Sequence, residues 1–233
     1  KKQIAQLMHL IEQRDIPALE KFIKKNNNLI NCYVTEQCTP LDVAIGSNAG
    51  DVAKLLLENG ADPNLSQHDA GYNSPLIRAC YMHDLDISVI EKLLEHGANV
   101  NAGHLSSGGL TETPLMAACY MGKLKLIECL LKHHADANVN IDGVTALEMT
   151  IDSSHYKNKA ERLAVIKLLL LHGAVFNPNQ KIAPIEETME GTKLITMKEY
   201  VKRYLGEDVL RIILASSCVK KGSEKRVRRQ KVQ

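Results

Sequence analysis

Apolar residues along this chain fall in pairs of short runs, and each pair closes on the same polar and small tail. Leu56-Leu57-Glu58-Asn59-Gly60-Ala61-Asp62-Pro63-Asn64 returns as Leu93-Leu94-Glu95-His96-Gly97-Ala98-Asn99-Val100-Asn101. A third copy runs Leu130-Leu131-Lys132-His133-His134-Ala135-Asp136-Ala137-Asn138, and a fourth runs Leu169-Leu170-Leu171-His172-Gly173-Ala174-Val175-Phe176-Asn177. The small-residue turns at positions 60, 97, 134 and 173 lie 37, 37 and 39 residues apart. Such a period marks a solenoid of stacked units, each unable to bury its apolar face alone. The pattern predicts paired helices in units at about 38–64, 73–101, 112–138 and 144–177, preceded by two short helices over 3–25 that break at Asp15-Ile16-Pro17. Beyond Pro178 it weakens. Leu194, Met197, Tyr200, Val201 and Tyr204 keep helical spacing, and Asp208 to Ala215 reads as one more apolar helix.

The head of each unit is also repeated. Thr39-Pro40-Leu41-Asp42-Val43-Ala44, Ser74-Pro75-Leu76-Ile77-Arg78-Ala79, Thr113-Pro114-Leu115-Met116-Ala117-Ala118 and Thr145-Ala146-Leu147-Glu148-Met149-Thr150 resemble the ankyrin signature Thr-Pro-Leu-His-x-Ala. Thr or Ser caps a helix whose first turn tolerates Pro, and Gly after the second helix supplies a left-handed cap. The signature His is missing from all four heads, the third tail has His134 for Gly, and the fourth head lacks Pro. The resemblance implies an all-α ankyrin-repeat solenoid of stacked helix-turn-helix units with short β-hairpin-like fingers. Its expected divisions are an N-terminal capping repeat (1–37), four repeats (38–181), a degenerate closing repeat with a sealing helix (182–216) and a basic tail (217–233). Longer fingers are expected from Leu65 to Asn73 and from Ala102 to Glu112, and an insertion between the helices of the fourth repeat from Ser153 to Glu161.

Composition narrows the function. With no Trp and two Phe among 233 residues, the interior is built from Leu, Ile, Val and Ala. No apolar stretch approaches the roughly 20 residues that span a bilayer. No secretory signal opens the chain, and the absence of an initial Met leads us to expect a fragment of a longer protein. Six cysteines without a Cys-x-x-Cys pair indicate neither a zinc site nor a disulfide framework, and so a reducing intracellular compartment. The formal charge of +2 conceals an asymmetry: setting aside the seven basic residues and one acidic residue of 220–233 leaves 22 of 29 basic and 26 of 27 acidic residues, a net of −4.

Candidate sites follow. His96, His133 and His172 occupy one slot before the turn, where a polar side chain complements a helix C-terminus, and adjacent His133-His134 do not make a metal pair. Neither a metal, a cofactor nor a catalytic group is expected. Two Tyr-Met doublets stand out: Tyr81-Met82 and Tyr120-Met121. The ankyrin resemblance puts them at the end of the first helix on the concave face, with Tyr72, Leu110 and Val144 in the fingers beside them. Tyr and Met suit interfaces, though the same side chains also pack between repeats. The resemblance likewise marks Asn101 and Asn138 as candidates for asparaginyl hydroxylation, against a role in bracing the finger. Lys225, Arg226, Arg228 and Arg229 resemble a nuclear-import signal. The expected function is a non-catalytic module that binds a protein partner on its concave face, cytoplasmic or else nuclear, and without an obligate homo-oligomer. Two other readings stay open: the adaptor arm of a larger enzyme or secreted bacterial effector, and a nucleic-acid or membrane binder led by the tail.

Overall fold

The helix heads fold as their local chemistry dictates. Thr39, Ser74, Thr113 and Thr145 each accept a backbone N–H from the first turn of the helix they precede. Thr39 and Asp42 close a reciprocal box, the N–H of Asp42 donating to Thr39 Oγ1 at 3.2 Å and that of Thr39 to Asp42 Oδ2 at 3.0 Å. Thr145 and Glu148 repeat it, while Met116 offers only its thioether sulfur to the N–H of Thr113. The structure is a computed structural model that describes residues 2–35, 38–65, 74–105, 111–141, 143–179, 181–182 and 195–215.

Helices α1 (Lys2–Gln13) and α2 (Ile16–Lys25) form the first layer, broken at Arg14-Asp15, with Asp15 capping α2. Four helix pairs follow: α3 (Pro40–Gly46) with α4 (Gly50–Glu58), α5 (Pro75–Tyr81) with α6 (Ile87–Glu95), α7 (Pro114–Tyr120) with α8 (Leu124–Lys132), and α9 (Ala146–Asp152) with α10 (Lys159–Leu171). First helices stack on first helices from α1 through α9, and second on second from α2 through α10. One continuous apolar core runs between the two rows. Small Ala79, Cys80, Ala118 and Cys119 are buried where the first helices meet.

Fingers join the layers. Strands β1 (His104–Leu105) and β2 (Thr111–Glu112) pair antiparallel, with His104 opposite Glu112. After α10, strands β3 (Lys181–Ile182) and β4 (Ile195–Thr196) pair likewise. Then come α11 (Met197–Tyr200), a π-helical turn (Val201–Leu205) and α12 (207–215). Val209, Leu210 and Ile213 of α12 are buried, and Lys159 Nζ reaches Asp208 at 3.0 Å to tie it to α10. The insertion in the fourth repeat is the loop 153–158.

Left-handed turns end the second helices at Gly60, Gly97 and Gly173, and His134 takes the same conformation with φ 64°. The residue before each turn caps its helix: Asn59, His96, His133 and His172. Asparagines then link neighbouring turns. Asn64 donates to Gly97 O at 2.8 Å and accepts from the N–H of Asn99 at 2.8 Å. Asn31 and Asn138 make the same pair of bonds to Gly60 and Asp62, and to Gly173 and Val175. Asn101 accepts from the N–H of Asp136 at 2.8 Å.

Candidate partner-binding face

The end of each first helix leaves carbonyls without helical partners, and side chains from elsewhere in the stack take them up. Arg14 donates to Ser47 O and Asn48 O, each at 3.0 Å. Lys123 donates to Cys80 O at 2.8 Å and to Met82 O. Tyr156 donates to Cys119 O at 2.7 Å, and Ser153 to Tyr120 O. These contacts fix the backbone that carries the Tyr-Met doublets. The slot of Tyr81 and Tyr120 is Gly46 in the first repeat and Asp152 in the fourth, so the aromatic pair belongs to the two middle repeats.

The two tyrosines have different surroundings. Tyr81 is half-buried against the core, and its phenol oxygen lies 2.6 Å from both carboxyl oxygens of Glu112 in β2. Glu112 is only 4% exposed, and burial raises its carboxyl above the ordinary range although the Tyr81 hydrogen bond opposes the shift. Burial, then Glu112, pushes the Tyr81 phenol up as well. The phenol's one proton is directed at the Glu112 carboxyl, whose two oxygens both lie within its reach. Tyr120 is 40% exposed, although its helix is buried from Pro114 to Cys119. Its ring meets His155 edge-on at 4.7 Å between centroids.

The doublets therefore divide. Met82 lines a groove at the corner between α5 and α6, whereas Met121 is half-buried as the cap of α7. Val144 is half-buried and bridges to Ile141 at the base of its finger. Asn101 and Asn138 are exposed and sit in the asparagine ladder. Tyr72, Leu110, Lys225, Arg226, Arg228 and Arg229 lie outside the described residues. Glu112, Lys123 and His155 are the participants that sequence reasoning missed. The one available signal was an acidic residue directly before the Thr113 head, where the other repeats have Cys38, Asn73 and Val144.

Among the described residues no three His, Cys, Asp or Glu side chains gather as a metal set, and no helix is long and apolar enough to cross a membrane. Cys80, Cys119 and Cys129 are buried, and burial pushes the Cys119 thiol up to about 12. These are packing residues rather than nucleophiles.

A family model of ankyrin repeats in three copies matches residues 76–181, and one of a single ankyrin repeat matches 36–67. The chain belongs to the ankyrin-repeat family. It is 36% identical over 118 residues to ankyrin repeat and SOCS box protein 11 of Danio rerio, covering 50% of this chain and 37% of that protein. It is also 36% identical over 104 residues to the B-cell lymphoma 3 protein homolog of Mus musculus, covering 45% of this chain and 22% of that one. An ankyrin repeat protein of fowlpox virus is 28% identical over 174 residues, with 71% and 47% covered. The chain thus spans less than half the length of each of these relatives. The crystal structure of an ankyrin repeat domain from Acinetobacter baumannii superposes with a TM-score of 0.70 at 24% identity, covering 91% of this chain and 97% of that one, which establishes the fold. Ankyrin repeats generally mediate protein–protein interaction and are generally non-enzymatic.

Proposed function

We propose that this ankyrin array is a non-catalytic module that holds a protein partner on the concave face of its middle repeats, with Tyr120 and Tyr81 at the centre. The observation that carries this reading is the 40% exposure of Tyr120 on an otherwise buried helix. An aromatic ring held by a rigid stack offers a large contact area at little ordering cost. Half-buried Tyr81, its hydroxyl held by Glu112, adds a smaller contact beside it. Photo-crosslinkers placed at Tyr120 and, as an outer-face control, at Lys92 test the reading in cell lysate. Capture from the Tyr120 position alone is expected. Once a partner is in hand, Tyr120→Ala should weaken binding by about 2 kcal/mol, roughly thirtyfold. Loss of less than twofold, or equal capture from Lys92, would remove the tyrosines from the interface.

A further inference from the structure

The second repeat differs from the first and the third in how its helices turn. The α3–α4 and α7–α8 connections use three residues, 47–49 and 121–123, whereas α5–α6 uses five, 82–86. The longer loop opens a groove of about 610 Å³ between the second and third repeats, at the opposite end of the helices from the fingers. Met82, Leu85, Ile90, Leu124 and Leu126 supply its apolar walls. Leu126 is buried, while Leu124 stands 38% exposed, so part of the wall faces outward.

The charges on the rim are unequal. Asp86 is already engaged, with Lys54 at 3.5 Å and with the Ser88 N–H at 3.1 Å. Lys123 spends its protons on the Cys80 and Met82 carbonyls, and Asp84 of the Met82 loop opposes its charge. Lys125 is exposed on the same rim and has no acidic partner among the described residues. With Asp86 set against Lys54 and Asp84 against Lys123, the unmatched charge at the rim is the single positive one of Lys125. The volume lies within the range of small ligand seats and takes a few side chains, whereas a stable dimer face needs well over 1,000 Å², on the order of 1,600 Å².

We infer that this groove is a second docking site, separate from the concave face, and that it accepts a short peptide segment of another protein carrying aliphatic side chains followed by a carboxylate. The aliphatic groups fill the Leu85–Leu124 trough, and the carboxylate meets Lys125. Apolar burial supplies the affinity and Lys125 selects the sign of the neighbouring charge.

The test uses a fluorescein-labelled peptide, Gly-Ser-Leu-Ala-Leu-Asp-Glu-Gly, and a counterpart with Lys-Lys in place of Asp-Glu, titrated with the full chain by anisotropy. Saturable binding of the acidic peptide is expected, at least about tenfold tighter than that of the basic one. Lys125→Glu, on an exposed side chain, should reverse that preference. Leu124→Ser should weaken both peptides, and Tyr120→Ala should leave both unchanged. Should Leu124→Ser lower the melting point, the Lys125→Glu reversal alone carries the test. Three results would each overturn the inference: no saturation, a preference indifferent to Lys125→Glu, or a loss with Tyr120→Ala that moves the peptide to the concave face. None of them bears on the crosslinking from Tyr120, so the two proposals fail separately.

Discussion

His134 occupies a left-handed position that its sister repeats give to glycine, so among the four turns the strain falls on that residue. A side chain there costs about 1–2 kcal/mol, partly offset because Gly gains freedom in the unfolded chain. His134→Gly should therefore raise stability by about 0.5–1 kcal/mol in a denaturant melt. At Gly97, with φ 87°, an added Cβ meets nothing within 4 Å, so Gly97→Ala should cost a similar amount through the backbone alone. Buried Glu112 provides a pH-dependent test. Its folded carboxyl binds a proton more tightly than the unfolded one, so its contribution is complete below the ordinary glutamate value and is lost as pH rises through the raised one. Gln still accepts the Tyr81 hydrogen bond through its amide oxygen and carries no charge. The stability of Glu112→Gln relative to the parent should rise between pH 4 and pH 7; a constant difference would mean that Glu112 titrates normally.

At the scale of the element, α3, α5 and α7 each depend on a side chain outside them to satisfy carbonyls at or just past their last turn. Arg14 serves α3, Lys123 serves α5, and Ser153 with Tyr156 serves α7. Lys123→Met retains the aliphatic stem but leaves the Cys80 and Met82 carbonyls short of a donor. Loss of such bonds costs about 1–3 kcal/mol. The expected signature is local: faster amide exchange in the last turn of α5, with α3 unchanged. Uniform loss across the array would instead mean that the lysine holds the stack as a whole.

For the whole molecule, stability comes from the two rows of helices acting together. Each layer buries its apolar side chains against the next, so a defect at the centre weakens two interfaces and one at the edge weakens one. Leu130 is fully buried in α8, while Leu29 lies partly buried in the turn after α2. Leu130→Ala should cost about 2–5 kcal/mol and Leu29→Ala clearly less, read from denaturant midpoints. Equal losses would contradict a nearest-neighbour stack.

Much of this architecture was legible from residue order, because its signals are local. Thr39 reaches Asp42 three residues on, Gly60 turns the chain directly after α4, and the Leu pairs face one side of their helices at helical spacing. Repeating those signals at about 37 residues leaves stacking as the way to cover the apolar faces. The binding surface was legible only in outline. Tyr81 and Glu112 are 31 residues apart, and Lys123 lies 43 from the Cys80 carbonyl it holds. Such contacts depend on how one repeat registers against the next, which periodicity within a repeat does not encode. The same registration turned Tyr81 onto a buried acid, left Tyr120 open beside His155, and drew Met82 into a groove made by two extra loop residues. Local hydrogen bonding set the repeat; long-range packing assigned each side chain its surface.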